Sequence, residues 1–127
     1  MKKEETLRGR GAFSSLFEQG TKLESGLLRC FFRYERGAGT PLRAGFSVSS
    51  RTFNAVKRNR IRRLMRAAFD AEAEPLRFAA GPGTISIVVV FRGRPGYRAE
   101  RLALAAVQQD MRVLCRQCAA LVVAGPA

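Results

Sequence analysis

The sequence predicts a single α+β domain, and three observations carry that expectation. A short stretch with apolar residues at helical spacing opens the chain. Two runs that alternate apolar and polar residues follow it. A basic helical stretch, "AVKRNRIRRLMRAAF" at 55–69, is then separated from a final amphipathic stretch by a near-continuous apolar run, "TISIVVVFRG" at 84–93. Periods of 3.6 and 2 that occupy separate segments mark helices packed on a sheet. At 127 residues the chain suits one domain, spanning 1–127 and ordered over about 7–122, large enough to bury a real core without staples.

The elements follow in order. The charged start is expected to be loose until about Arg10. In "GAFSSLFEQGTKL" the residues Ala12, Phe13, Leu16 and Phe17 recur at helical spacing, and Gly20 can stop a short helix. "LLRCFFRYE" (27–35) reads as a strand, with Leu28, Cys30 and Phe32 on one face and Arg29, Phe31 and Arg33 on the other. "RGAGTP" is turn chemistry, and "LRAGFSVSS" (42–50) is a second strand with Phe46 and Val48 opposite Ser47 and Ser49. These two strands are expected to pair as an antiparallel hairpin. A loop from Arg51 to Asn54 leads into a helix over Ala55–Ala71, and Pro75 with "AAGPG" breaks the chain again. The 84–93 run has the character of a buried central strand. After an "RPG" turn, a long helix is predicted from Tyr97 to about Val122, with Leu102, Ala105, Ala106, Gln109, Val113 and Cys115 to Leu121 on its apolar side.

Charge narrows the partner. Lys and Arg number 23 against 10 Asp and Glu, a net +13. Self-repulsion on that scale destabilises a compact state unless a polyanion offsets it, which favours nucleic acid over an anionic membrane. Most of the basic residues are arginine, whose planar fork suits bidentate contact with phosphate. The three cysteines, Cys30, Cys115 and Cys118, are too few and too odd for a disulfide framework. Cys115 and Cys118 form a CxxC, but with no second pair and no histidine they read as apolar residues one helical turn apart. The start "MKKEETLRGRG" leads into no long apolar run, so the chain is expected to be cytoplasmic and away from membranes.

The basic helix carries the chemistry. At 100° per residue, Ile61, Leu64, Met65 and Ala68 share one arc. Arg58, Arg62 and Arg66 form a ridge beside it, Asn59 and Arg63 form a second, and Arg60 points away near the edge of the arc. Like charges at i, i+4 repel by a few tenths of a kcal/mol per pair, so three or four pairs add roughly 1 kcal/mol of frustration. A face that only needed solvent would interleave glutamates, yet no acidic residue occurs from Arg36 to Phe69. Asn59 brings an amide into this surface, able to bond a 2′-hydroxyl or a base edge; it also reads as an ordinary surface residue early in a helix.

The segment "GFSVSSRTFNAVKRNRIRRLMRAAF" resembles the signature of the bacterial ribonuclease P protein subunit: a "G-[LF]-S-V-S" strand, a basic loop, then "A-V-x-R-N-x-x-[KR]-R-x-x-R" on a helix, filled from Gly45 to Arg66. The flanks agree, with an "F-x-x-[LV]-F-x-x-G" at Phe13 to Gly20, and the likeness covers about residues 7–120. Two positions depart. Ser50 stands where the family has the first of two lysines, while Arg51 keeps the second charge, and Phe53-Asn54 stands in place of Gly-Asn. The family aromatic near the end of the first strand falls on Phe31 or Phe32, and Phe31 is preferred because it shares a face with Arg29.

The resemblance implies a fold similar to domain IV of elongation factor G and to a small-subunit ribosomal protein domain. That fold has a short N-terminal helix, a four-stranded mixed sheet, the basic helix in a left-handed βαβ crossover against the usual hand, and a C-terminal helix. It also implies that catalysis belongs to an RNA subunit, which holds the Mg2+ and cleaves precursor tRNA at the mature 5′ end. No histidine is present for acid–base or nucleophilic work. Asp70, Glu72 and Glu74 alternate at a helix end rather than converge as a two-metal site requires. No catalytic or metal-binding residue is therefore assigned. The RNA-binding set is Lys57, Arg58, Asn59, Arg60, Arg62, Arg63 and Arg66, docking on the RNA subunit. The set for the single-stranded 5′ leader is Phe13, Phe17, Arg29, Phe31, Ser47, Ser49 and Arg51. Phenylalanines can stack bases without sequence preference, although Phe13 and Phe17 each also fit core packing. Phe32, Phe46 and Phe69 are assigned to the core. The partners are the RNA subunit and precursor tRNA, with one monomeric protein per catalytic RNA. A ribosomal or tRNA-binding protein without enzyme association is the competing class.

Overall fold

Two elements decide the architecture: a central strand paired along both edges, and a short helix laid across the face that the others leave open. The computed structural model describes residues 5–37, 39–93 and 102–125. Its elements are α1 (Arg10–Gln19), β1 (Thr21–Ser25), β2 (Leu28–Arg36), β3 (Leu42–Ser47), α2 (Ala55–Glu72), α3 (Glu74–Ala80), β4 (Gly83–Phe91) and α4 (Leu104–Ala124). The predicted start of the last helix at Tyr97 and the turn before it lie outside the described residues.

The sheet has four strands in the order β1-β2-β4-β3. β1 and β2 form a tight antiparallel hairpin, β2 pairs antiparallel with β4, and β3 pairs parallel with β4. The expected β2–β3 hairpin is therefore wrong, because β4 lies between those strands. Hairpin pairing of β2 with β3 would have left the most apolar strand at an edge, with an unpaired row of amides. Placed centrally, β4 is paired on both sides, and Ile85, Ile87, Val88, Val89 and Phe91 are all buried. α2 and α3 make the crossover between the parallel strands β3 and β4.

β1 is an addition to the strands expected from the sequence. Its hairpin turns at Gly26, whose φ of 52° suits a two-residue connection. Asp110 of α4 grips the turn: its Oδ2 accepts from the Leu27 amide at 3.0 Å and its Oδ1 from the Ser25 hydroxyl at 3.3 Å. A Cβ on Gly26 would lie 2.6 Å from those oxygens.

One face of the sheet carries the main core. Leu28, Cys30, Phe32, Leu42, Ala44, Ile85, Ile87 and Val89 pack there against Ile61, Met65, Ala68 and Phe69 of α2, with Leu76 of α3 and α4. Phe46 meets Phe69 edge-on at 5.5 Å, so the core assignment of Phe32, Phe46 and Phe69 stands. α4 buries Val107, Met111, Leu114, Cys115 and Cys118, an arc of about 100° on a helical wheel. This corrects the expected apolar side, since Ala105, Ala106, Gln109 and Val113 are exposed. A helix rich in Ala and Val offers more than one stripe, and the position of α2 and α3 selects among them. Burial of Cys30 and Cys115 pushes their thiol pKa values up to about 12, and that of Cys118 is raised as well. These thiols stay protonated, as apolar core residues do.

Two further differences concern the joints. Pro75 separates α2 from α3 but sits in the first turn of α3, where its missing N–H is tolerated. The chain before Arg10 is not loose throughout. Leu7 donates its amide to Ala44 of β3 at 2.8 Å, and Glu5, buried to 3% exposure, makes a two-pronged ion pair with Arg77 of α3 at 2.7 and 2.9 Å.

Candidate nucleic-acid interface

The second face of the sheet is built in rows by the strand register. Phe31, Val88 and Gly45 stand side by side on β2, β4 and β3; so do Arg29, Val90 and Ser47, and so do Arg33, Ser86 and Arg43. α1 crosses the first row. Phe13 lies on Gly45, Leu16 is buried in a small cluster with Leu7 and Val88, and the ring of Phe17 meets Phe31 edge-on at 5.1 Å. A Cβ at position 45 would stand 2.5 Å from the Phe13 ring, so only glycine allows this approach.

The two flanks of α1 differ. Ser15 and Gln19 point to one side, where Arg33 donates to the Ser15 hydroxyl at 3.3 Å and to the side-chain oxygen Oε1 of Gln19 at 3.0 Å. Phe13 and Phe17 lie about 160° round the helix from that pair. They therefore overlook the other row, in which Arg29, Val90 and Ser47 are half-buried. Phe17 is 42% exposed, leaving its outer face free to stack, whereas Phe13 is half-buried and shared with the small cluster. The structure thus brings Phe13, Phe17, Arg29, Phe31 and Ser47 to one side of the sheet. Ser49 and Arg51 are less regular: β3 ends at Ser47, and the exposed Ser49 accepts the Arg51 amide in the following turn at 3.2 Å.

The basic helix begins with a cap. The Asn54 side chain accepts from the Lys57 amide at 2.9 Å and so satisfies one of the orphan donors of the first turn. Phe53, in the place where the resembled family has glycine, is a buried plug with its ring 5.9 Å from that of Phe91. The departure at this loop is filled by packing.

The arginines of α2 divide into three groups. Arg58 folds back to donate to the Phe53 carbonyl at 2.8 Å, Arg62 reaches Asn59 Oδ1 at 3.4 Å, and Arg66 lies 5.9 Å over the Phe46 ring. Asn59 and Arg63, with Lys57, are exposed on the outer side. Arg60 goes the other way and donates to the Leu102 carbonyl beside α4 at 3.2 Å. Five cations of the predicted set thus present a broad donor surface, and Arg60, the sixth, marks its border. The acids at the end of α2 diverge. Glu72 accepts from Arg112 and Gln108 of α4, and those hydrogen bonds and charges hold its carboxyl below the usual range. Glu74 pairs with Arg77.

Sequence reasoning missed Lys22, Glu24 and Arg92. Lys22 and Glu24 stand on β1 opposite Phe31 and Arg29. Arg92 follows β4 and donates its amide to the Leu27 carbonyl at 2.7 Å. The alternation Lys22-Leu23-Glu24 before Ser25-Gly26 was the available signal for the strand that carries the first two.

The fold and its two surfaces define a class: a small, strongly basic α+β protein with a charged helix on one side of a mixed sheet and a half-open, aromatic-walled face on the other. A family model for ribonuclease P matches residues 1–119. The ribonuclease P protein component of Chlorobaculum tepidum is 34% identical over 114 residues, covering 83% of this chain and 71% of that protein. The same component from Shouchella clausii is 42% identical over 69 residues, 54% of this chain and 56% of that protein. The RNase P protein from Thermotoga maritima superposes with a TM-score of 0.71 at 25% identity, covering 89% of this chain and 96% of that one. The chain belongs to the family of the ribonuclease P protein component.

Proposed function

We propose that this chain is the accessory subunit of a ribonuclease P whose RNA performs the cleavage. The arginine face of α2 docks on the RNA subunit, and the open face of the sheet holds the single-stranded 5′ leader of precursor tRNA. The observation that carries this reading is the separation of two surfaces. α2 packs on the core face of the sheet, while Phe13 and Phe17 line the opposite face over Gly45 and Phe31. Two separate surfaces suit a protein that holds two RNA segments at once. Lys57, Arg58, Asn59, Arg62, Arg63 and Arg66 serve the first contact. Phe17, Phe31, Arg29 and Ser47 form the centre of the second, with Phe13 as its base and Ser49 and Arg51 at its rim.

The described residues offer poor provision for magnesium. Among the described residues no three His, Cys, Asp or Glu side chains are grouped to hold a metal, and Glu72 and Glu74 are committed to arginines. The Mg2+ of the reaction is assigned to the RNA subunit. No helix among the described residues is long and apolar enough to cross a membrane. A cytoplasmic location and one monomeric protein per catalytic RNA are part of the same proposal.

Reconstitution with a bacterial ribonuclease P RNA at low magnesium tests the reading. The mixture should cut precursor tRNA at the mature 5′ end, and the chain without RNA should leave it intact. Cleavage by the protein alone, after nuclease treatment of the preparation, would overturn the division of labour.

A further inference from the structure

Three cations converge on one acceptor at a corner of the open face. Glu24 Oε1 lies 2.9 Å from Arg29 Nε and 3.7 Å from Lys22 Nζ, and Glu24 Oε2 lies 3.1 Å from Arg92 Nη1. Desolvation of the Glu24 carboxyl works to raise its pKa, but the charges of Arg29, Arg92 and Lys22, with the Arg29 hydrogen bond, produce a net lowering. Lys22 and Arg29 flank Phe31 in the strand pairing, and Phe31 forms the aromatic pair with Phe17. Arg92 lies one residue past β4 and continues the face of Val90, the neighbour of Arg29.

A hairpin that needed only a cross-strand pair would be satisfied by Arg29 with Glu24. Exposed ion pairs stabilise little, and each added cation brings repulsion, leaving the corner two charges positive. A carboxylate and a phosphodiester both offer guanidinium groups two oxygens that share one negative charge.

We propose that Lys22, Arg29 and Arg92 form a phosphate-binding corner for a backbone phosphodiester of the single-stranded leader, and that Glu24 is its resident counter-anion, displaced when the leader binds. The carboxylate keeps the guanidinium groups aligned in the free protein and lowers the pull of the corner on unrelated anions. A base stacked on Phe17 and Phe31 places its phosphate beside this corner. The proposal rests on the reading of the open face as the leader cleft.

The test uses the reconstituted holoenzyme with Glu24→Gln, Arg92→Ala and Phe17→Ala, each checked for folding by circular dichroism. Affinity is measured for leader-bearing precursor, for mature tRNA, and for assembly with the RNA subunit. Glu24→Gln should tighten precursor binding by roughly two- to fivefold and leave mature tRNA and assembly unchanged. Arg92→Ala should weaken precursor binding and lower the slope of log affinity against log salt by about 0.7. If Glu24→Gln weakens precursor binding or leaves it unchanged, the displaced-anion role is wrong. If it alters assembly instead, the phosphate belongs to the RNA subunit and the proposal falls. Phe17→Ala separates the two levels. Should it cost precursor affinity alone while Glu24→Gln does nothing, the cleft stands and the corner fails. Should it weaken precursor and mature tRNA equally, the cleft reading fails and takes the corner with it.

Discussion

Gly45 has no side chain, and the ring of Phe13 stands where one would be. That contact fixes how closely α1 approaches β3, and so how the aromatic wall meets the sheet. Gly45→Ala should therefore push Phe13 off its seat. Overpacking of this kind costs about 1–3 kcal/mol, read as a lower denaturant midpoint, together with weaker precursor binding. Adding Phe13→Leu should recover part of the stability, because the two changes share one contact and are not additive. The sequence showed that Phe13 and Phe17 share a helical flank and that Phe31 lies opposite the core side of its strand. It did not show that Phe13 is half-committed to packing while Phe17 is the more open ring. That distinction depends on Leu7 and Val88, which are distant in sequence and adjacent in space.

At the scale of the element, α2 concentrates like charge that an isolated helix would avoid, and its cap and buried face hold it in place. Its arginines should separate in a salt series. Arg63 is exposed on the outer side, and replacing it with Ala should lower the salt slope of assembly with the RNA subunit by about 0.7–0.9. Asn59→Ala removes no charge; the slope should hold while affinity falls by roughly 1 kcal/mol, the usual worth of a lost hydrogen bond. Arg60, held on the Leu102 carbonyl, should change the slope less than Arg63 and should lower thermal stability more. An unchanged slope for Arg63→Ala would mean that the helix docks on another side. The ridges were legible in the sequence because helical geometry needs only the spacing of residues. The commitment of Arg60 was not, because its partner is a backbone carbonyl 42 positions away.

The whole molecule is closed by a strap. The segment from Glu5 to Leu7 runs beside β3, with Leu7 bonded to Ala44 and Glu5 paired with Arg77 beneath α3. Removing one partner of a buried ion pair leaves an uncompensated charge and commonly costs about 3–5 kcal/mol. Glu5→Ala should destabilise the fold by about 3 kcal/mol, the low end of that range, because Arg77 keeps 26% exposure and can recover water. Denaturant unfolding measures this. The strap also leads directly into α1, so the same variant should weaken precursor binding while assembly through α2 is spared. Equal loss of both would show that the strap serves stability alone.

The sequence by itself determined the α+β class, the extents of α1, β2, α2 and β4, the alternation of β2, and the arginine face. Each of these depends on the local period of side chains or on net charge, which residues carry wherever the chain folds. Only the tertiary structure decided that β4 separates β2 from β3, which stripe of α4 is buried, that Glu5 belongs to Arg77, and that Lys22, Arg29 and Arg92 meet at Glu24. Strand order and long-range ion pairs are set by which surfaces bury the most apolar area together, and that competition runs over the whole chain at once.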